Sequence, residues 1–142
     1  MRSLADFTAA AVQVYRTATD QLTAKKKLED SERYFRQIAE AIPQIVWTTR
    51  ADGELDYLNN RWTEFTGRAK TQDSSTNAIH PEHVQQVVSK WNECLKEGSI
   101  CEFEYQLLDA QRNYQWHIAR VVPLKDKENR VIKWFGTATN ID

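Results

Sequence analysis

Apolar side chains recur seven residues apart through the first third of the chain, at Phe7, Val14, Leu28, Phe35 and Ile42, with Gln21 at the one polar step. A second row, Leu4, Ala11 and Ala18, runs three residues ahead of the first. This is an a/d-like seam, broken by Gln21, Lys25 and Glu32. Residues 1–42 contain neither Gly nor Pro. The spacing predicts a long helix, with an interruption at Asp30-Ser31, where either residue could cap a new start. Pro43 ends it, because the residue before a proline is pushed out of helical geometry.

The periodicity then changes. Gln44 to Arg50 reads as a short strand and Leu55 to Leu58 as a second, joined by Ala51-Asp52-Gly53-Glu54. Asp-Gly between two apolar runs is a hairpin signal, since Gly accepts the positive φ of a tight turn. Asn59 or Asn60 can cap a short helix that carries Trp62 and Phe65 on one face and stops at Gly67. Arg68 to Ala78 has no period and is expected as loop with a turn of helix. At His80-Pro81 another helix begins, with Pro at its first position, a stripe of Val84, Val87, Val88, Trp91 and Leu95, and Gly98 at its end.

From Cys101 onward the period is two. Phe103, Tyr105 and Leu107 oppose Glu102, Glu104 and Gln106. Tyr114, Trp116, Ile118 and Val122 oppose Gln115, His117 and Ala119; Ile132, Trp134, Gly136 and Ala138 oppose Lys133, Phe135 and Thr137. Such alternation predicts half-buried antiparallel strands. Two strands, a helical middle and three strands make an α+β chain, divided into an N-terminal amphipathic, coiled-coil-like helix (1–42) and a domain (43–142).

With 142 residues the domain can bury a proper core. The 19 basic and 20 acidic residues leave a net charge of −1, which gives no electrostatic case for nucleic acid or an anionic membrane. Cys94 and Cys101 match no disulfide scaffold and no metal spacing, so small buried thiols in a reducing cytoplasm are the expectation, with a redox pair as the alternative. No apolar run approaches the ~20 residues of a membrane span. No nucleophile–base pair, phosphate-cradling Gly loop or metal motif is present, so no enzymatic activity is expected of this segment.

The order Asp52-Gly53, Tyr57, Asn59, Trp62, Phe65, Thr66-Gly67, then His80-Pro81-Glu82 with Trp91, then Phe103, Tyr105, Tyr114, Trp116, Pro123 and the closing Gly136 to Asp142 resembles the PAS sensor domain with its C-terminal PAC motif. The resemblance covers about residues 38 to 142. It implies a five-stranded antiparallel sheet in the order 2-1-5-4-3 with helices over one face. It also implies a sensing or relay role in a bacterial signalling protein, above all a sensor histidine kinase, with the output domain beyond Asp142. Gln111-Arg112 stands where the family has Asp-Gly, so a different turn type is expected there; Asn129 replaces a common Gly.

The resemblance also frames the candidate sites. Some members hold haem, flavin or a small metabolite between sheet and helices, and others hold nothing. The photoadduct of blue-light flavin members needs a Cys between Gly67 and His80, and there is none. No cofactor is predicted, with haem or a small metabolite as the alternative; a pocket would draw on Trp47, Tyr57, Val87, Trp91, Tyr105, Trp116, Arg120 and Trp134. Against that, the aromatics can fill the core and the polar segment Gly67–His80 makes a thin wall. His80 and His83 are expected in structural roles, His117 at the surface, and Arg120, if inward, beside Glu104 or an anionic ligand. The seam of Leu4, Phe7, Ala11, Val14 and Ala18 can fold over the protein's own sheet, form a homodimer, or do both, with dimerisation plus partial packing on the sheet preferred. A cytoplasmic homodimer is the expectation.

Overall fold

The computed structural model describes residues 4–71 and 76–142, with the side chains of the first helix described from Ala9. The chain forms two compact units, Met1–Ile38 and Ala39–Asp142. Helix α1 spans Leu4–Ala41 and runs through Asp30-Ser31 without the expected interruption. Neither residue breaks a helix by itself, and the flanking Lys, Glu, Leu and Arg are good helix formers. It ends two residues before Pro43, as the proline requires.

In the second unit, β1 (Ile45–Arg50) and β2 (Leu55–Leu58) are joined at Gly53, whose φ is 94°. The short helix α2 (Asn60–Thr66) is closed by Gly67 at φ 71°, and α3 (Pro81–Glu97) by Gly98 at φ 65°. Strands β3 (Cys101–Leu108), β4 (Tyr114–Lys125) and β5 (Val131–Asn140) complete a five-stranded antiparallel sheet in the order β2-β1-β5-β4-β3.

The inner face of the sheet is set by register. Ala138 of β5 lies opposite both Ile45 and Ala119, and Gly136 opposite both Trp47 and Val121. Ile45, Ala119, Val121, Trp134 and Ala138 are all buried. On β4 this places His117, Ala119 and Val121 inside, and Tyr114, Trp116, Ile118 and Arg120 on the other face. The phase is the reverse of the one expected from apolar content, because both faces of β4 carry apolar side chains and the larger ones lie outside. A one-residue slip moves a whole strand's side chains to the opposite face.

Asn59 precedes α2 but makes no side-chain cap. Fully buried, its Oδ1 accepts from the Val46 N–H and its Nδ2 donates to the carbonyls of Ala39 and Gln44. The cap of α2 comes from Glu40, whose carboxylate accepts the Asn60 N–H at 2.9 Å. At the other end of the fold, Gly98 turns the chain so that Cys94 and Cys101, with Cα atoms 6.0 Å apart, form a disulfide. The buried free thiols expected from the sequence are therefore paired, and the last turn of α3 is tied to the first residue of β3.

The β3–β4 and β4–β5 turns are built alike. Arg112 (φ 68°) and Asn129 (φ 65°) both occupy the left-handed region. In each, an aspartate three residues earlier gathers the turn's amides: Asp109 accepts from Gln111 and Asn113, and Asp126 from Glu128 and Arg130. Arg112 thus keeps the left-handed geometry a Gly would give, held by Asp109. The Asn113 amide, followed by the Gln115 side chain, holds the Asp109 carboxyl below its ordinary range.

Candidate functional site: the cavity between helix and sheet

Helix α3 covers the sheet incompletely. Val84, Val87, Trp91 and Leu95 are only half-buried and Val88 is exposed, leaving Cys94 as its buried residue. Beneath it lies a cavity of about 170 Å³. Trp47 of β1 and Phe103 and Tyr105 of β3 line it from the sheet, Val87 and Trp91 from α3, and Trp62 from α2.

The pocket residues expected from the sequence separate into two sets. Trp47, Val87, Trp91 and Tyr105 line the cavity; Tyr57, Trp116, Arg120 and Trp134 do not. Tyr57 donates its hydroxyl to Glu40 at 2.6 Å. Trp116 is 38% exposed on the outer face, its ring tilted 36° to His83 with centroids 5.2 Å apart. Arg120 is on that face too, paired at 2.5 Å with Glu102 rather than Glu104, both well exposed. Trp134 is fully buried behind the cavity, edge-on to Trp91 at 5.3 Å, and its Nε1 has no hydrogen-bond partner among the described residues. Phe103 and Trp62 were legible as inward residues of their elements, but nothing in sequence marked them as cavity-lining.

One glycine shapes the site. The Trp47 indole lies flat across Gly136, where a Cβ would fall 2.7 Å from Nε1 and nearer still to two ring carbons. Gly136 is therefore required by the close approach of the ring rather than by its backbone conformation.

The histidines have separate tasks. His80 caps α3, its Nδ1 accepting from the Glu82 N–H, and its ring lies tilted 54° to Tyr114 with centroids 4.4 Å apart. His83 accepts the Gln106 N–H through Nδ1, fixing the start of α3 to the edge of β3. His117, expected at the surface, is buried, edge-on to Phe65 at 4.9 Å, with Nδ1 donating to the Gln115 carbonyl at 3.0 Å. Burial pulls its imidazole below the ordinary value.

The residues present do not fit haem. Pockets that take drug-sized ligands measure roughly 300–1,000 Å³, well beyond this cavity, and neither His80 nor His83 is among the lining residues. Among the described residues no group of three or more metal-ligating side chains gathers.

This architecture is that of a sensor fold, and residues 55–138 match the family described as the PAS fold. The chain belongs to that family. It is 29% identical over 127 residues to the uncharacterised protein y4lL of Sinorhizobium fredii, covering 87% of this chain and 15% of that one. It is 28% identical over 107 residues to the peroxide stress-activated histidine kinase mak1 of Schizosaccharomyces pombe, covering 73% and 6%. The chain thus spans a small fraction of these relatives. Among solved structures, a domain of a protein described as a light and redox sensing histidine kinase from Haloarcula marismortui superposes with a TM-score of 0.59 at 23% identity, covering 78% of this chain and 99% of that one. Among the described residues no helix is long and apolar enough to cross a membrane.

Proposed function

We propose that this chain is the sensing or relay module of a histidine kinase, acting as a homodimer that couples its sheet to flanking helices. The carrying observation is on α1, a 38-residue helix whose row of Ala11, Val14, Ala18 and Leu28 is exposed, Val14 at 71% and Leu28 at 62%. A single helix of this length gains most of its stability from packing an apolar face, and an exposed seam at heptad spacing is satisfied by a second copy. Leu4 and Phe7, which extend the seam in sequence, have side chains outside the described set. The kinase output is supported by relatives such as mak1. At the far end the exit segment is held to the sheet: Asp142 accepts the Trp116 N–H at 2.8 Å, and Ile141 donates to the Trp116 carbonyl. A shift in β4 would thereby reach whatever follows.

The test is Val14→Asp with Leu28→Asp, measured by sedimentation. A dimer that becomes a monomer supports the seam; a dimer unchanged by both substitutions refutes it. A second reading, that of a ligand sensor, is favoured by the cavity under α3.

A further inference from the structure

The Cys94–Cys101 bond joins α3 to the sheet at the only buried position of that helix. The other apolar residues of its inner stripe, Val84, Val87, Trp91 and Leu95, are half-buried. Cys101 opens β3 and is fixed there by its pairing with Val121 of β4. The bond bridges a separation of 7 residues across the left-handed turn at Gly98. Lys96, Glu97, Ser99 and Ile100 within that span are exposed, so unwinding the last turn of α3 uncovers the sulfurs.

The dithiol form also has a place in this fold. Both cysteines belong to an apolar cluster with Val121 and Trp134, flanked by Trp91 and Leu95, and that packing does not depend on the covalent bond. Cys101 Sγ lies 3.9 Å from the Lys90 carbonyl, so its S–H, once formed, has an acceptor in place. With Cα atoms 6.0 Å apart on a short span, the two sulfurs stay within bonding reach of each other after reduction. The end of α3 thus has two arrangements, one locked covalently and one held by packing alone.

We propose that Cys94 and Cys101 form a reversible thiol–disulfide switch, driven by a low-molecular-weight thiol and its disulfide, that locks or frees the C-terminal half of α3 over the sheet. It rests on the relay reading only for its consequence: a shift of β3 passes through its pairing to β4, which holds the exit segment. In reduction, an external thiolate attacks Cys94 Sγ, on the side that can unwind. The Sγ–Sγ bond breaks, and Cys101 leaves as a thiolate that takes a proton from water. A second external thiolate attacks the small-molecule sulfur of the mixed disulfide, releasing the small disulfide and the Cys94 thiolate, which is protonated in turn. The protein pair gains two electrons and two protons, and two small thiols become one disulfide. Oxidation is the reverse.

The experiment equilibrates the full chain in mixtures of reduced and oxidised glutathione. Each sample is read by thiol alkylation, by amide hydrogen exchange resolved on the ¹⁵N-labelled protein, and by native mass. Half-conversion is expected within the range of glutathione ratios. In the dithiol form the amides of β4 and β5 should stay protected, while those from Trp91 to Leu95 exchange at least about tenfold faster than in the bridged form. A chain carrying Cys94→Ala and Cys101→Ala should show the fast exchange at every ratio.

A bond that reduced glutathione alone leaves intact is purely structural and overturns the switch, as does a sheet that loses its protection on reduction. Equal exchange from Trp91 to Leu95 in the two forms overturns the claim that the bond locks α3. A response to the glutathione ratio that persists in the Cys94→Ala, Cys101→Ala chain removes this pair from the role. If the switch fails in a chain that is dimeric throughout, the relay function stands without it. The switch as described in a chain that is monomeric leaves the switch standing and the dimeric relay refuted.

Discussion

Gly136→Ala isolates the close packing at the back of the cavity. The added methyl would meet the Trp47 indole, 2.7 Å from Nε1 and nearer to two of its carbons. Overpacking a well-filled site costs about 1–3 kcal/mol. Trp47 is only half-buried and borders the cavity, so its ring has somewhere to swing. That relief puts the expected loss in the lower part of the range, about 1–2 kcal/mol, or roughly 5–10 °C in Tm for a domain of this size. The assay is urea unfolding followed by circular dichroism, carried out as a double-mutant cycle with Trp47→Leu. Once the indole is gone, Gly136→Ala should cost less than about 0.5 kcal/mol, since the alanine is then unobstructed and loses less backbone entropy than glycine. The coupling should be about 1–2 kcal/mol. Equal costs in the two backgrounds would refute the claim that the ring, rather than the strand, dictates glycine here.

Three further outcomes follow from the rest of the fold. Reducing the Cys94–Cys101 bond, which closes a span of seven residues, should lower stability by about 2.5 kcal/mol on the chain-entropy account; unchanged urea midpoints with and without reductant would contradict it. Asn59→Ala leaves three backbone groups unpaired in a buried position and should cost about 3 kcal/mol, whereas a loss under about 1 kcal/mol would show that water replaces the amide. For His117, burial depresses the folded pKa below the unfolded value of about 6.5. The unfolded state therefore binds more protons between the two, and the stability present above about pH 6.5 is lost as pH falls through the folded pKa. Urea midpoints from pH 7.5 to 5.5 should fall more steeply in the parent than in His117→Gln, and parallel slopes would count against the buried neutral imidazole.

The element order and strand pairing were legible because alternation, Asp-Gly, and glycines at helix ends each report a local backbone requirement. The phase of β4 was not, since Tyr114, Trp116, Ile118 and Val122 outweigh His117, Ala119 and Val121 in apolar content although the latter face the core. Which row turns inward is decided by pairing with Gly136 and Ala138 of β5, information that no single strand carries. That inversion moved Trp116 and Arg120 out of the expected pocket set. Asn59 misled for a related reason: asparagine before a helix reads as a cap, but its amide is used by Val46, Ala39 and Gln44, residues distant in sequence. The Cys94–Cys101 pairing depends on Gly98 reversing the chain between them, which the spacing alone did not disclose.

The central claim is a homodimeric signalling module joined through α1, and a native mass spectrum of the freshly purified chain tests it most directly. The account predicts an assembly of twice the 16.6 kDa chain mass. A species of single-chain mass at every protein concentration tried would contradict it.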